Sequence, residues 1–514
     1  MSTVFDVNIY STAITVYPGK EATQLLGPLL NLFEYEDEYL EQSLTLGYIL
    51  DDDMDLLYLN RGVDIEYLRR LLVSARIIHQ DPIESKPMKF DYEELISPRN
   101  EDQKDVIDFI AGLNHHSSNQ SEHQIFLVKD PGFGKTYCSG VGLCLYGQKT
   151  LIIVHRDNLR SQWTKSLRDM SGLTSRYVHE ITSSDEFEYI CDTPDLDYEY
   201  DVYIMTHATF RAGLKRVGSF ERASNFSKNL HLGFKIIDEA HLEFRDTLLM
   251  DFIFNINRNL YLTATDGRSS KEENAIFKHV FSNTKFYRKP TINPNQPSKW
   301  VNYNTITIDT HLNPNVYRYR VAGGRGMSPA SYGKWCIKND KNKTHIKVCC
   351  DIVRQTFEKN ENSKVIIFMP LIELCEETAD FIYKKLSHDD SFPYDIRIRT
   401  INSRNSKVEN ERNKQSDVIV STTGSLSTGV DIKGITTIIS CSPMVSKIQC
   451  VQTWGRIRYG GLGFTGDYYD IIDSSCLMDT IWQKSRYKVF KNLALNINHY
   501  YWTLDDSDNE ESVT

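Results

Sequence analysis

The run IFLVKDPGFGKTYCSG, residues 125–140, sets four apolar residues directly before a glycine-bearing loop and a Lys–Thr pair. A short apolar run bounded by turn residues predicts a strand. The glycines that follow let the backbone close around a phosphate group, and successive amide donors at a helix N-terminus offset its charge. Gly132, Phe133, Gly134, Lys135 and Thr136 are therefore the candidate nucleotide-binding residues. Lys135 has the reach for the β- and γ-phosphates, and Thr136 has a hydroxyl for a magnesium ion. The place where such a loop usually starts with a small residue is taken by Lys129. On this stretch alone, an unrelated phosphate-binding loop stays open.

About a hundred residues on, FKIIDEAHLEF (234–244) ends a second apolar run in Asp238 and Glu239. A carboxylate at a strand end can hold magnesium, and its neighbour can orient or deprotonate a water. Asp238 is assigned the metal and Glu239 the water. His241 is a candidate sensor of the γ-phosphate, or a coupler to Thr263–Ala264–Thr265.

Outward from these two stretches the chain alternates apolar strands with polar or amphipathic segments, as when helices cover both faces of a parallel sheet. The first series is 125–128, 151–154, 201–205, 234–238 and 260–264, and the second is 364–369, 395–399, 417–421, 436–440 and 468–473. The expected fold is α/β, with two tandem parallel-sheet domains at 98–290 and 346–480 and a small accessory domain at 1–95. Asp64 is the expected cap of a helix carrying Ile65, Leu68 and Leu72. The proline-bearing stretch 288–300 reads as a linker. Residues 301–345, with a Lys-rich piece at 338–347, read as a candidate insertion, and 481–514 as a C-terminal helix and acidic tail.

Composition narrows the class. The 514 residues are 40% hydrophobic, enough for several cores, so a disordered scaffold is excluded. The net charge of -10 speaks against indiscriminate nucleic-acid binding but leaves room for a local basic track. Ten scattered cysteines form no CxxC pair and read as buried thiols in a reducing compartment. The N-terminus lacks a signal-peptide pattern, and no apolar stretch is long enough to span a bilayer, so the expectation is an intracellular protein with no membrane partner.

The ordered motifs carry a resemblance. GFGKT, DEAH and TAT resemble motifs I, II and III of the superfamily 2 helicases, which implies two RecA-like domains, ATP and Mg²⁺ as cofactors, and a nucleic-acid track. LIIVHRDNLRSQW (151–163) resembles motif Ia, which implies a phosphate contact for Arg156 with His155 and Gln162 nearby, while Trp163 reads as helix packing. DVYIMTHATF (201–210) resembles motif Ib and implies a backbone contact for Thr206. PRNEDQ (98–103) is similar to the adenine-contacting segment, which makes Gln103 the candidate.

In the second domain, KVIIFMPLIELCEETADFI (364–382) resembles motif IV, and DVIVSTTGSLSTGVDIKGITTIIS (417–440) resembles motif V. The latter implies phosphate contacts for Thr422 and Thr428 and a coupling role for Gly429 and Asp431. VQTWGRIRYGG (451–461) resembles motif VI, implying a nucleotide-side role for Gln452 and an arginine finger at Arg456. The family's second arginine falls on Tyr459, so Arg458 is kept as a shifted partner.

The style of motifs V and VI resembles the UvsW-like helicases of phages and large DNA viruses, including the poxvirus-type transcript-release DNA helicases. That likeness implies DNA as partner before RNA, replication or transcription proteins as further partners, and, for a viral protein, the host cytoplasm or the virion as location. The alternatives are a double-stranded DNA translocase or branch remodeller, an RNA helicase, a non-catalytic nucleic-acid-binding regulator and, last, a metabolite kinase.

Overall fold

The computed structural model describes residues 3–37, 42–91, 97–113, 121–129, 132–194, 200–264, 267, 271–288, 299–311, 328–426, 432–444, 446–461 and 463–503. It divides into two compact units, residues 1–292 and 293–514.

Unit 1 begins with β1 (Phe5–Ile9), β2 (Ala13–Tyr17), β3 (Glu34–Asp37), β4 (Gln42–Thr45), β5 (Tyr48–Asp51), β6 (Leu56–Asn60) and β7 (Ala75–His79). Five of them make a mixed sheet in the order β5-β6-β2-β1-β7, and β3 and β4 pair separately. The helix Ile65–Leu71 buries Leu68 in the same core and is capped by the Asp64 carboxylate, which accepts from the Glu66 amide at 2.9 Å.

The larger sheet of unit 1 comprises β8 (Ser121–Val128), β9 (Thr150–Val154), β10 (Val178–Glu180), β11 (Val202–Thr206), β12 (Phe234–Ile237), β13 (Arg258–Thr263) and β14 (Thr284–Tyr287). Their order is β10-β11-β9-β12-β13-β8-β14, and every pairing is parallel. β9, β11, β12 and β13 are buried at every residue, which explains their predominantly apolar sequences.

The N-terminal sheet is not a separate core. Val7, Ile14, Leu57 and Leu59 belong to one apolar cluster with Phe126, Ile153 and Tyr203 of the parallel sheet. Thr12 donates to the Asp251 carbonyl at 2.6 Å, and Ser11 binds the Asn255 side chain through both its amide and its hydroxyl. The expected boundary near residue 95 is thus a change of topology, with continuous packing across it.

Unit 2 holds β15 (Val301–Ile308), β16 (Val365–Met369), β17 (Ile398–Ile401), β18 (Val418–Thr422), β19 (Thr437–Ser440), β20 (Gly466–Asp473) and β21 (Ile497–Tyr501). This sheet is also parallel throughout, in the order β17-β18-β16-β19-β20-β15-β21. Two seven-stranded parallel sheets with flanking helices are the tandem RecA-like architecture.

Three expectations need correction here. Residues 301–345 do not start as an insertion, because β15 lies inside the sheet between β20 and β21. Its sequence VNYNTITI disguises this. Asn302 donates to Asp467 at 2.9 Å, and Asn498 donates to Asn304 at 2.8 Å, so polar residues are satisfied across the strands. The stretch 481–514 is more than a helix and tail, since Leu477–Leu493 is followed by β21. The strand expected at 395–399 runs over Ile398–Ile401.

Candidate functional site

The phosphate-loop residues sit beyond the carboxyl end of β8, next to the ends of β13 and β12, where parallel α/β sheets bind ligands. Gly134 has a φ of +100° and begins the helix Lys135–Tyr146. A Cβ there would lie 2.8 Å from Gln103 Nε2, so both the conformation and the close approach require glycine. Gly132 likewise has positive φ, at +83°. Residues 130 and 131 lie outside the described residues.

Gln103 is fixed to this loop. Its Nε2 donates to the Phe133 carbonyl at 2.7 Å, and its Oε1 accepts from the Arg99 amide at 2.9 Å. Asn100 caps the helix that carries it, accepting from the Gln103 amide. In this conformation the side chain expected to meet adenine braces the phosphate loop.

Lys129, the unusual residue of the loop, is neutralised. Its ammonium lies 2.6 and 2.8 Å from the Asp102 carboxylate oxygens. It also sits 4.5 Å from the ring centroid of Phe133 and 5.2 Å from that of Tyr287, whose hydroxyl donates to Asp102 at 3.1 Å. The side chain therefore turns away from phosphate duty, while its carbonyl accepts from the Lys135 ammonium at 2.9 Å.

Asp238 and Glu239 follow β12 directly. Glu239 has a φ of +51°, a left-handed turn that costs an ordinary residue about 1–2 kcal/mol and re-aims the chain at the strand end. Burial raises the Asp238 carboxyl, against the opposing pull of the Trp163 hydrogen bond and Lys135. Burial pushes Glu239 up to about 7, with Lys135 pulling it down and the Asp238 charge adding to the rise. Among the described residues Glu239 Oε2 accepts no hydrogen bond, and it lies 3.4 Å from His241 Nδ1.

Two adjacent carboxyl groups that share one lysine suit a divalent cation. Among the described residues no three His, Cys, Asp or Glu side chains converge as a cage. Magnesium in such a site takes one or two carboxylates and completes its shell with phosphate and water. Asp238 and Thr136 fit that role.

His241 is fully buried and meets Thr263 Oγ1 at 2.8 Å through Nδ1, joining the DEAH segment to the end of β13. Thr265 lies outside the described residues. Trp163, read as packing alone, also donates from Nε1 to Asp238 Oδ2 at 2.9 Å. No spacing rule points to that bond.

The candidate nucleic-acid contacts fare unequally. Arg156 is half-buried at the start of the helix Asp157–Ser171. Thr206 is a correction: it is 2% exposed, and its hydroxyl caps the helix His207–Val217 by accepting from the Thr209 amide at 3.0 Å. It shapes the end of β11 and is not placed to touch a phosphate through that hydroxyl. Thr422 is half-buried, its hydroxyl accepting from the Ser425 amide at 3.2 Å. Thr428, Gly429 and Asp431 lie outside the described residues.

In unit 2, Gln452 is on the helix Lys447–Trp454, and its Nε2 is buried with no hydrogen-bond partner among the described residues. Arg456 follows at the turn where its amide donates to the Thr453 carbonyl at 3.2 Å, and it is half-buried, whereas Arg458 is exposed. Trp300 pins this turn by donating to the Ile457 carbonyl at 2.9 Å.

Sequence and structure comparisons bear on the fold and on the class of activity. Residues 95–268 match the type III restriction enzyme, res subunit family, and residues 344–460 match the helicase conserved C-terminal domain. A protein described as "Putative helicase 161L" of Invertebrate iridescent virus 6 is 23% identical over 387 residues, covering 74% of this chain and 79% of that protein. Mss116 bound to ssRNA and UDP-BeF is similar at a TM-score of 0.52 and 14% identity, over 79% of this chain and 75% of that one. The ATP-dependent Type ISP restriction-modification enzyme LlaBIII bound to DNA gives 0.51 and 16%, over 84% of this chain and 34% of that one. At such identities the structural likenesses bear on fold alone. The domain matches and the viral relative support an ATP-hydrolysing, nucleic-acid-dependent helicase of superfamily 2.

Proposed function

We propose that this superfamily 2 helicase couples ATP hydrolysis to strand separation or movement on DNA. One observation carries the chemistry: Lys135, Asp238 and Glu239 gather at the carboxyl end of a single parallel sheet, with the two carboxyl groups raised by burial and opposed by that one lysine.

In the proposed cycle the loop Gly132–Thr136 cradles the triphosphate, with Gln103 beside it. Thr136 and Asp238 would hold Mg²⁺, which when bound screens phosphate charge. Glu239 orients the attacking water and takes its proton. Arg456, with Arg458 as partner and Gln452 nearby, supplies the positive charge that stabilises the transition state. ADP and phosphate leave, and the grip of Arg156, Thr422 and Thr428 on the strand's phosphates changes. No covalent intermediate forms on the protein.

DNA is preferred over RNA because STGVDI (427–432) and QTWGRIR (452–458) resemble the UvsW-like group, and the first domain matches a restriction-enzyme subunit. The RNA-bound Mss116 motivates RNA as the second reading. A double-stranded DNA translocase or branch remodeller shares all the same residues. The iridescent-virus relative supports a viral setting, and for a viral protein the proposed place of action is the host cytoplasm or virion, on replication, repair or transcription intermediates.

The test is a panel of forked DNA, intact duplex DNA and duplex RNA, read by phosphate release and by strand separation. Forked DNA should stimulate hydrolysis and be unwound, and Glu239→Gln should bind nucleotide yet lose hydrolysis. Stimulation without unwinding selects the translocase, unwinding of RNA alone selects the second reading, and no stimulation by any polymer ends both.

A further inference from the structure

Trp163 stands on the helix Asp157–Ser171, two turns after Arg156, and only 1% of it is exposed. A buried indole needs an acceptor for its N–H. The acceptor here is a side chain from another strand end, Asp238 Oδ2 at 2.9 Å, 75 residues away in sequence.

The bond has two consequences. It fixes the rotation of the carboxyl group, leaving Oδ1 outside that bond. It also ties Asp238 to a helix whose first turn follows Arg156, the proposed phosphate contact. Leu159 and Leu167, buried on the same helix, seat it in the core of the parallel sheet, so one packed element runs from Arg156 to the indole.

We propose that Trp163 is a positioning residue that orients Asp238 toward its metal and makes this hold responsive to nucleic acid at the start of the helix. This rests on Asp238 being the magnesium ligand and Arg156 the nucleic-acid contact, as proposed above.

The experiment measures binding of a fluorescent ADP analogue to the full chain by anisotropy across a Mg²⁺ titration, with and without a single-stranded DNA oligonucleotide. Trp163→Phe should raise the Mg²⁺ midpoint about tenfold, the lower end of what losing a ligand's hydrogen-bond partner does. Binding without Mg²⁺ should be unchanged. DNA should lower the midpoint of the unmodified chain and leave that of Trp163→Phe where it is. Asp238→Asn should abolish the Mg²⁺ dependence, and adding Trp163→Phe to it should have no further effect.

An unchanged midpoint in a folded Trp163→Phe chain overturns the positioning role, as does an equal loss in the Asp238→Asn background. A DNA-induced shift that survives Trp163→Phe overturns the link. If Asp238→Asn keeps its Mg²⁺ dependence, the metal assignment fails instead. Should Trp163→Phe not fold, benzothienylalanine at position 163 keeps the ring volume, lacks the N–H and is judged by the same outcomes.

Discussion

The ammonium of Lys129 and the carboxylate of Asp102 meet at 2.6 Å with the lysine side chain 1% exposed. The residue that spoils the phosphate-loop pattern is thereby made part of its frame, tying the helix Glu101–Ala111 to the end of β8. Removing one member of such a pair leaves a buried charge uncompensated, so Asp102→Ala should cost about 3–5 kcal/mol in chemical denaturation. Asp102→Ala combined with Lys129→Ala should recover part of that loss. A double variant as unstable as the sum of the singles refutes the pairing.

Lys135 and Arg456 are assigned to phosphate charge, not to folding. Alanine at either position should lower ATP turnover about 10²–10³-fold, the effect of losing one charge-stabilising donor. Thermal unfolding should barely move. Wild-type turnover in Lys135→Ala removes the residue from the site.

Arg486 is 1% exposed and bridges two buried acids, donating through Nε to Asp470 and through Nη2 to Asp479, each at 2.9 Å. It locks the helix Leu477–Leu493 onto β20. Arg486→Met should destabilise the chain by about 3–5 kcal/mol. Arg486→Lys should rescue little, because a point charge cannot reproduce the fork. Full stability in the lysine variant contradicts the two-acid clamp.

His345 gives unit 2 a pH dependence. Burial pulls its imidazole down, but the hydrogen bond to Asp340 and the nearby Cys441, Asp473 and Asp340 groups lift it to about 9. The folded value stands above the ordinary 6.5, so the stability it contributes is complete below 6.5 and is lost as pH rises through about 9. The loss should be on the order of 3 kcal/mol and absent in His345→Gln. Denaturation curves across pH 6–10 with equal slopes for the two proteins would rule it out.

Some of this was plain in the amino acids and some was not, for physical reasons. β9, β11, β12, β13 and the second half of β8 were legible because both faces are largely buried, which favours apolar runs. β14, β15 and β21 were not, since edge or near-edge strands tolerate Asn, Thr and His that bond sideways to their neighbours. Asp238 and Glu239 could be read because they directly follow an apolar strand, and Lys135 because it follows a glycine-bearing loop at a helix start. Trp163 and the partner of Lys129 could not, because a hydrogen bond across 75 residues and an ion pair across 27 leave no local pattern. Thr206 was misread because a helix-capping threonine and a phosphate-binding one look alike in sequence.

The pairing of β15 with β21 joins segments 194 residues apart, as between Asn304 and Asn498. During synthesis β15 would emerge long before the strand that shields its outer edge. Until then a row of unpaired amides and carbonyls faces solvent, an invitation to foreign strands. Deleting residues 495–503 should make that interval permanent and yield a protein whose first failure is self-association.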